Sequence, residues 1–432
     1  MLIEFKVANF RSIREEQTFT LVANNADKSL QGCVISQEFP GLTGIRLLRG
    51  AAIYGANASG KSNLLSALAF LAGFIRHSAT KLQPGDTTGV EPFKLDSESH
   101  KNPSRFEITF VVEQVRYIFG LVVSSKRVLQ EYLVAYPKGS PQRWYSREYD
   151  EGKDEYKWAR PSMGFKHDKT LQEKTRENSL FLSVGPQFNH PQLTPIFNWF
   201  KTSLRFMLLS QDPYVQLSED FTAAMLMEPA YHDRILNMLR SADIGVVEGK
   251  AEEQEISPEE FKKHLPPALF AKMEKQDQLK GNKTFNINLA HKSENKEPVF
   301  LDYFNEESVG TKKFFSLIGP WIDLLENGYT VVIDEIETSL HPILVKELIR
   351  LAYCSVNNPK GAQVIFATHN PVLLDGELMR RDQIWFAEKS PAGSTHLYPL
   401  TDYQPRKDEA LARGYLAGRY GAIPYLPEGL KL

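Results

Sequence analysis

The sequence predicts an α/β fold: a mixed, mainly parallel sheet carrying a phosphate-loop pattern, an antiparallel β-subdomain, and an inserted helical subdomain. Three observations carry this expectation. The apolar residues 47–54 run directly into the glycine-rich GANASGKS at 55–62, and helical spacing of apolar residues follows. Three runs rich in valine, isoleucine and aromatics lie between Arg105 and Tyr136. The section after Tyr329 alternates apolar strands with a helix, which implies a parallel sheet covered on both faces.

Each element follows from its own pattern. Residues 1–7, MLIEFKV, alternate apolar and polar positions and read as a strand; 17–23 reads as a second strand and 47–54 as a third. Leu64, Leu65, Leu68, Phe70, Leu71 and Ile75 share one helical face, so a helix spans 62–75. RFEITFVVE, VRYIFGLVV and VLQEYLVAY form a meander, and 149–168 is a loop or a further hairpin. Between 194 and 278 the spacing turns helical, with segments at 196–209, 221–239 and 258–275 separated by prolines; 278–283 is a polar link. Strands return at 284–291 and 298–304, then at 329–334, 363–367 and 383–388, with a helix at 342–353. The domains expected are 1–165 and 284–432, the two halves of one head, around a helical insertion at 166–283. That insertion makes partner or self contacts, or serves as a rigid lid.

Composition narrows the function class. The chain has 432 residues, 42% hydrophobic and 24% charged, as in ordinary globular proteins. A formal net charge of −2 advertises neither nucleic acid nor membrane as a partner. Only Cys33 and Cys354 are present, which excludes a disulfide scaffold and a four-cysteine zinc site. No signal-peptide pattern opens the chain, and its longest apolar stretches are too short for a bilayer, so a cytoplasmic location is expected. Arg143, Arg147, Lys153, Lys157 and Lys166 form a candidate basic patch, or a solvated face.

The chemistry concentrates in four motifs. Residues 55–62 fit G-x-x-x-x-G-K-[ST], in which backbone N–H groups and a helix N-terminus cradle phosphates. Lys61 would reach the β- and γ-phosphates of ATP, and Ser62 would ligate Mg2+. VVIDE at 331–335 is an apolar strand ending in two acids: Asp334 for the metal shell, Glu335 to orient or deprotonate water. IFATHNP at 365–371 brings His369 to the same edge if the two strands are neighbours. EESVGTKK at 306–313 is a helix start, either an ordinary capped end or a second anion-binding one.

Phosphate loop, ESVGTKK, VVIDE, ETSLHP at 337–342 and FATHNP occur in one order, which resembles the ABC-type ATPase heads of the SMC, RecF and OLD-like group. NFRSI at 9–13 is similar to the start of RecF-like heads. EESVGTKK and GRYGAIP at 418–424 resemble compact bacterial ATPases linked to abortive infection and phage defence. The resemblance implies an ABC-ATPase head using ATP and Mg2+. Gly55, Asn57, Gly60, Lys61, Ser62, Asn63 and, at the edge, Arg11 would bind the nucleotide; Ser62 and Asp334 would hold the metal. Glu335, His369 and Lys61 would be catalytic, and Ser308 and Gly310 would reach the γ-phosphate of the opposite protomer. Two copies would then sandwich ATP as a homodimer, with a higher homo-oligomer compatible. The signature reads SVGTK where transporters have LSGGQ, and Gln83 and Gln114 compete for the Q-loop role.

The 63 residues after His369 are too few for the TOPRIM nuclease that OLD-family proteins carry there, and no Asp-x-Asp occurs. Two functions follow as expectations. One is a sensor ATPase of a defence complex that holds a separate effector, a TOPRIM-type nuclease, and releases it upon a phage-encoded trigger. The other is a RecF-like repair ATPase that clamps duplex DNA.

Overall fold

A computed structural model gives the fold and describes residues 1–37, 39, 42, 44–208, 218–255, 283–406 and 409–424. The chain forms two contact units: Met1–Gln211 with Leu324–Glu337 and Val345–Leu432, and Asp212–Asp323 with Thr338–Leu344.

The first unit opens with β1 (Leu2–Ala8), β2 (Gln17–Thr20), β3 (Val34–Ile35), β4 (Leu47–Leu48), β5 (Gly50–Tyr54) and helix α1 (Lys61–His77). A meander follows: β6 (Ser104–Val112), β7 (Val115–Val123), β8 (Val128–Tyr136), β9 (Gln142–Asp150) and β10 (Glu155–Trp158). Short helices α2 (Lys169–Glu173), α3 (Phe181–Gln187) and α4 (Leu193–Asn198) lead into β11 (Leu204–Met207). In the second unit are α5 (Ser218–Met227), α6 (Pro229–Ser241), β12 (Val246–Glu255), β13 (Lys283–Lys292), β14 (Pro298–Asp302) and most of α7 (Val309–Asn327). The first unit resumes with β15 (Thr330–Ile333), most of α8 (Pro342–Tyr353), β16 (Gln363–Thr368), β17 (Ile384–Lys389), β18 (Thr395–Pro399) and α9 (Leu411–Leu416).

Two large sheets build the first unit. Strands β11-β15-β16-β5-β17 run parallel with β18 antiparallel at the edge, and β10-β9-β8-β7-β6-β1-β2 is antiparallel throughout. Every residue of β5, β15 and β16 is buried, which is why their sequences are apolar without alternation. In β2 and β6 buried positions alternate with more open ones, the signature of a sheet covered on one face. One hydrophobic core joins Phe106, Ile108 and Phe110 of the antiparallel sheet, Leu64, Leu68 and Leu71 of α1, and Val332 and Ile365 of the parallel sheet. Buried Gln363 ties the sheets together: its side chain accepts from Leu2 N–H at 2.6 Å and donates to the carbonyls of Leu2 at 2.9 Å and Leu48 at 3.1 Å. The expected fold class is therefore the one observed; the second unit pairs its helices with a three-stranded antiparallel sheet, β12-β13-β14.

Several local expectations change. Residues 47–54 are two strands in different sheets, because the chain turns at Arg49, whose guanidinium donates to Gly32 O at 2.8 Å and Asn358 O at 2.6 Å. Residues 149–168 begin with the β9–β10 hairpin. The helix expected at 196–209 ends early: Trp199 and Phe200 pack on Phe110 at 4.7 and 5.1 Å, and 204–207 pairs with β15. A sheet edge offering four backbone partners there overrides helical periodicity. The helix expected at 221–239 is two, divided at Pro229. The segment 258–275 and the link up to 282 lie outside the described residues. Arg147 is no surface cation: it is fully buried in an ion pair with Glu131 at 2.9 Å.

Candidate active site

The loop between β5 and α1 is held by close approach. Gly60 has φ +106°, and a Cβ there would stand 2.0 Å from Thr395 Oγ1. A Cβ on Gly55 would stand 2.4 Å from Ala387 O. Thr395 fixes the loop from β18: its hydroxyl donates to Ser59 O at 3.0 Å and meets Ser12 Oγ at 2.8 Å, and Asn63 Nδ2 donates to the same Ser12 oxygen at 2.7 Å. Gly60→Ala is therefore expected to destabilise the protein by more than the ~1–3 kcal/mol that left-handed strain alone costs. It should also weaken nucleotide binding. Thermal unfolding and a nucleotide titration check this, and wild-type values in both would show that the loop tolerates a side chain.

Parallel register brings the motifs to one edge. Ile333 pairs with Phe366 and Thr368 with Tyr54, so Asp334, His369 and Gly55 each stand one residue past neighbouring strand ends. This is the strand-end position where open α/β sheets bind ligands. Asp334 N–H donates to Met207 O at 2.9 Å, so β11, read from sequence as helix, pins the acidic end of β15. Glu335 follows in the left-handed region at φ +50°.

Lys61 is buried and donates from Nζ to Gly55 O at 2.7 Å and Ala56 O at 2.9 Å. Burial lowers its pKa below the ordinary lysine value, opposed by the charges of Asp334, Glu335 and Glu337. Asp334 is raised above the ordinary carboxylate range by burial, an effect that its hydrogen bond with Ser62 opposes. The other oxygen, Asp334 Oδ1, is buried and has no partner. A buried carboxylate oxygen left unsatisfied beside a serine hydroxyl suits a hard divalent cation such as Mg2+, which takes one or two protein oxygens plus phosphate oxygens. Among the described residues no group of three His, Cys, Asp or Glu side chains could hold a metal by itself.

His369 is exposed at the same edge, and Glu337 holds it: Glu337 Oε1 accepts from His369 N–H at 3.0 Å and lies 3.3 Å from Nδ1. Sequence reasoning missed Glu337, Ser12 and Thr395 as site residues. Glu337 and Ser12 lie inside motifs already quoted, whereas nothing local marks Thr395. The other expected binders divide. Asn57 is exposed on the loop, and Asn63 is engaged with Ser12. Arg11, at φ +48°, is paired with Glu91 at 2.8 Å. Gln114 forms with Glu113 the left-handed turn between β6 and β7. Gln83 accepts from Asn178 Nδ2 through its carbonyl at 2.7 Å.

Ser308 and Gly310 belong to the second unit. Ser308 Oγ accepts from Thr311 N–H at 3.1 Å, capping α7 as an ordinary helix start. A Cβ on Gly310 would meet Ser339 O only at 3.5 Å, an ordinary contact, so the space available does not require glycine there.

The sequence matches the family described as AAA domain, putative AbiEii toxin, Type IV TA system over residues 51–191 and 216–375. No curated protein matches it. Among solved structures, the SMC head domain from Thermotoga maritima is 13% identical, covering 92% of this chain and 98% of that one, with a TM-score of 0.40. The SmcHead bound to the C-winged helix domain of ScpA is 14% identical, covering 93% and 99%, at 0.41. The recombination mediator protein RecF-ATPrS of the RecFOR pathway is 14% identical, covering 92% and 98%, at 0.31. Each is a likeness of fold alone.

Proposed function

The chain belongs to the AAA domain family described as putative AbiEii toxin, Type IV TA system, and from that premise we propose that it binds ATP with magnesium and hydrolyses it. The observation that supports this most is the convergence at one sheet edge of Lys61, the Ser62 hydroxyl and the unpartnered buried oxygen of Asp334. Lys61 exchanges the carbonyl oxygens of Gly55 and Ala56 for β- and γ-phosphate oxygens. Ser62 and Asp334 would hold the magnesium, which would neutralise charge on those phosphates. Glu335 orients the attacking water and takes its proton, and His369 stands at the γ-phosphate. Lys61→Ala is expected to abolish ATP binding, measured by titration with a fluorescent ATP analogue; wild-type affinity would sink the reading.

Ser308 and Gly310 serve the opposite protomer in an ATP-bound homodimer. A glycine that its own surroundings do not demand supports an approach from outside. Hydrolysis then opens the pair. The finer role is that of a cytoplasmic sensor and scaffold in an anti-phage complex, restraining a separate effector such as a TOPRIM nuclease. EESVGTKK and residues 418–424 resemble AriA, the ATPase subunit of the PARIS defence system. No described helix is long and apolar enough to cross a membrane.

The second reading, a RecF- or SMC-like clamp on duplex DNA, has less support. Of the basic patch, Arg147 is buried against Glu131 and Lys157 pairs with Asp150, so both charges are already compensated. A DNA clamp gains affinity from free cations that replace counterions. Gel shifts with duplex DNA, with and without ATP over a salt series, separate the readings: tight, ATP-dependent, salt-sensitive binding would favour the clamp.

A further inference from the structure

We infer that Glu337 is a positioning residue for hydrolysis, acting through His369 so that the two side chains work as one unit; this rests on the ATPase reading. Thr368 pairs with Tyr54, which stands His369 beside Gly55, the first residue of the phosphate loop. From the neighbouring strand end, Glu337 uses a single oxygen for two contacts. It accepts the His369 backbone N–H at 3.0 Å, which fixes the loop, and lies 3.3 Å from Nδ1, within ion-pair reach of the protonated ring. In the doubly protonated ring Nδ1–H faces the carboxylate, which only accepts, and Nε2–H is the donor left for a phosphate oxygen. The relative exposures fit this arrangement: the Glu337 side chain is 11% exposed and that of His369 53%, so the holding group lies inside and the held ring faces out.

Stability alone does not account for Glu337. Its second oxygen, Oε2, is buried with no partner, as is the hydroxyl of Tyr54 on the last residue of β5. An unsatisfied buried carboxylate oxygen costs free energy that a purely structural residue would avoid. A side chain kept in this state, with its one committed oxygen on both the backbone and the ring of His369, is explained by what it does for that ring.

The test is a set of four variants, Glu337→Ala, Glu337→Gln, His369→Ala and the Glu337→Ala/His369→Ala double, compared with wild type in steady-state ATP hydrolysis and in ATP binding. Glu337→Ala should lower kcat by about tenfold or more, the low end of what a displaced catalytic side chain loses, with ATP Kd changed by no more than about twofold. Glu337→Gln keeps an acceptor oxygen in the same place and should recover most of the rate. The double variant should be no slower than His369→Ala alone, because residues that act as a unit are not additive. A wild-type kcat in Glu337→Ala, or losses that multiply in the double variant, would overturn the inference. These failures are distinct from failure of the ATPase reading. If Lys61→Ala loses ATP while Glu337→Ala keeps the wild-type rate, only the role of Glu337 falls; if the wild-type protein neither binds nor hydrolyses ATP, both fall.

Discussion

Glu335→Gln should bind ATP as the wild type does and hydrolyse it some 10²–10⁴ times more slowly, the range lost with a general base. The substitution is nearly isosteric, and the peptides on either side are tied down. Asp334 N–H donates to Met207 O at 2.9 Å and Ile336 N–H to Ala367 O at 3.4 Å. Residue 335 itself holds φ +50°, a conformation imposed by those neighbours and as accessible to Gln as to Glu. Binding rests on other groups: Lys61, Ser62 and the loop amides are untouched. What disappears is the carboxylate assigned to take a proton from water. If ATP joins two copies, blocked hydrolysis leaves them joined, so sedimentation of Glu335→Gln with ATP and magnesium should show a persistent dimer where wild type returns to monomer. Hydrolysis at the wild-type rate would remove the water-activating role from Glu335, and a monomer with bound ATP would remove the sandwich.

The sequence was most readable where one strand carries one signal. β5, β15 and β16 are buried on both faces, so apolar runs ending in a polar residue marked both the strands and the site edge. The turn from β5 into α1 was legible because its constraints are local: two glycines and a lysine at fixed spacing. Reading failed where tertiary contacts decide. The apolar run at 47–54 gives no sign that Arg49 is drawn aside by the carbonyls of Gly32 and Asn358 and splits it between two sheets. Residues 204–207 have helical company in sequence, yet the open edge of β15 claims them, and through Met207 they support Asp334. Thr395 lies 336 residues from the Ser59 carbonyl it holds, and no spacing rule spans that separation. Arg147 looked like a surface charge because a buried partner cannot be seen in a list of basic residues. Glu337 lay in plain view within ETSLHP, but its link to His369 depends on two strands being neighbours.

That buried charge supplies the largest stability effect expected. Glu131→Ala should cost about 3–5 kcal/mol, the loss typical when one partner of a buried ion pair is removed. Glu131 and Arg147 face each other across β8 and β9 with side chains fully excluded from solvent. The carboxylate has four donors: Arg147 Nε at 2.9 Å, Tyr145 hydroxyl at 2.9 Å, and the backbone N–H groups of Phe181 at 2.9 Å and Leu182 at 3.1 Å, which open α3. Alanine strands all of them: a guanidinium left with carbonyl oxygens of Arg176 and Ser179 and with the rings of Tyr156 and Trp158, a phenol, and two helix-end donors out of reach of water. Glu131→Gln, which keeps oxygen for the α3 amides and loses only charge, should fall between alanine and wild type. The damage should not stay local. The core that covers this hairpin continues through Phe110 and α1 to the parallel sheet, so loosening it reaches the helix that begins at Lys61. Urea unfolding followed by tryptophan fluorescence, with Trp144, Trp158 and Trp199 all in or against the antiparallel sheet, should show the midpoint fall, and ATP affinity should fail at a lower temperature than in wild type. A loss below about 1 kcal/mol, the ordinary worth of an exposed pair, would mean that water reaches the Arg147 guanidinium once the carboxylate is gone.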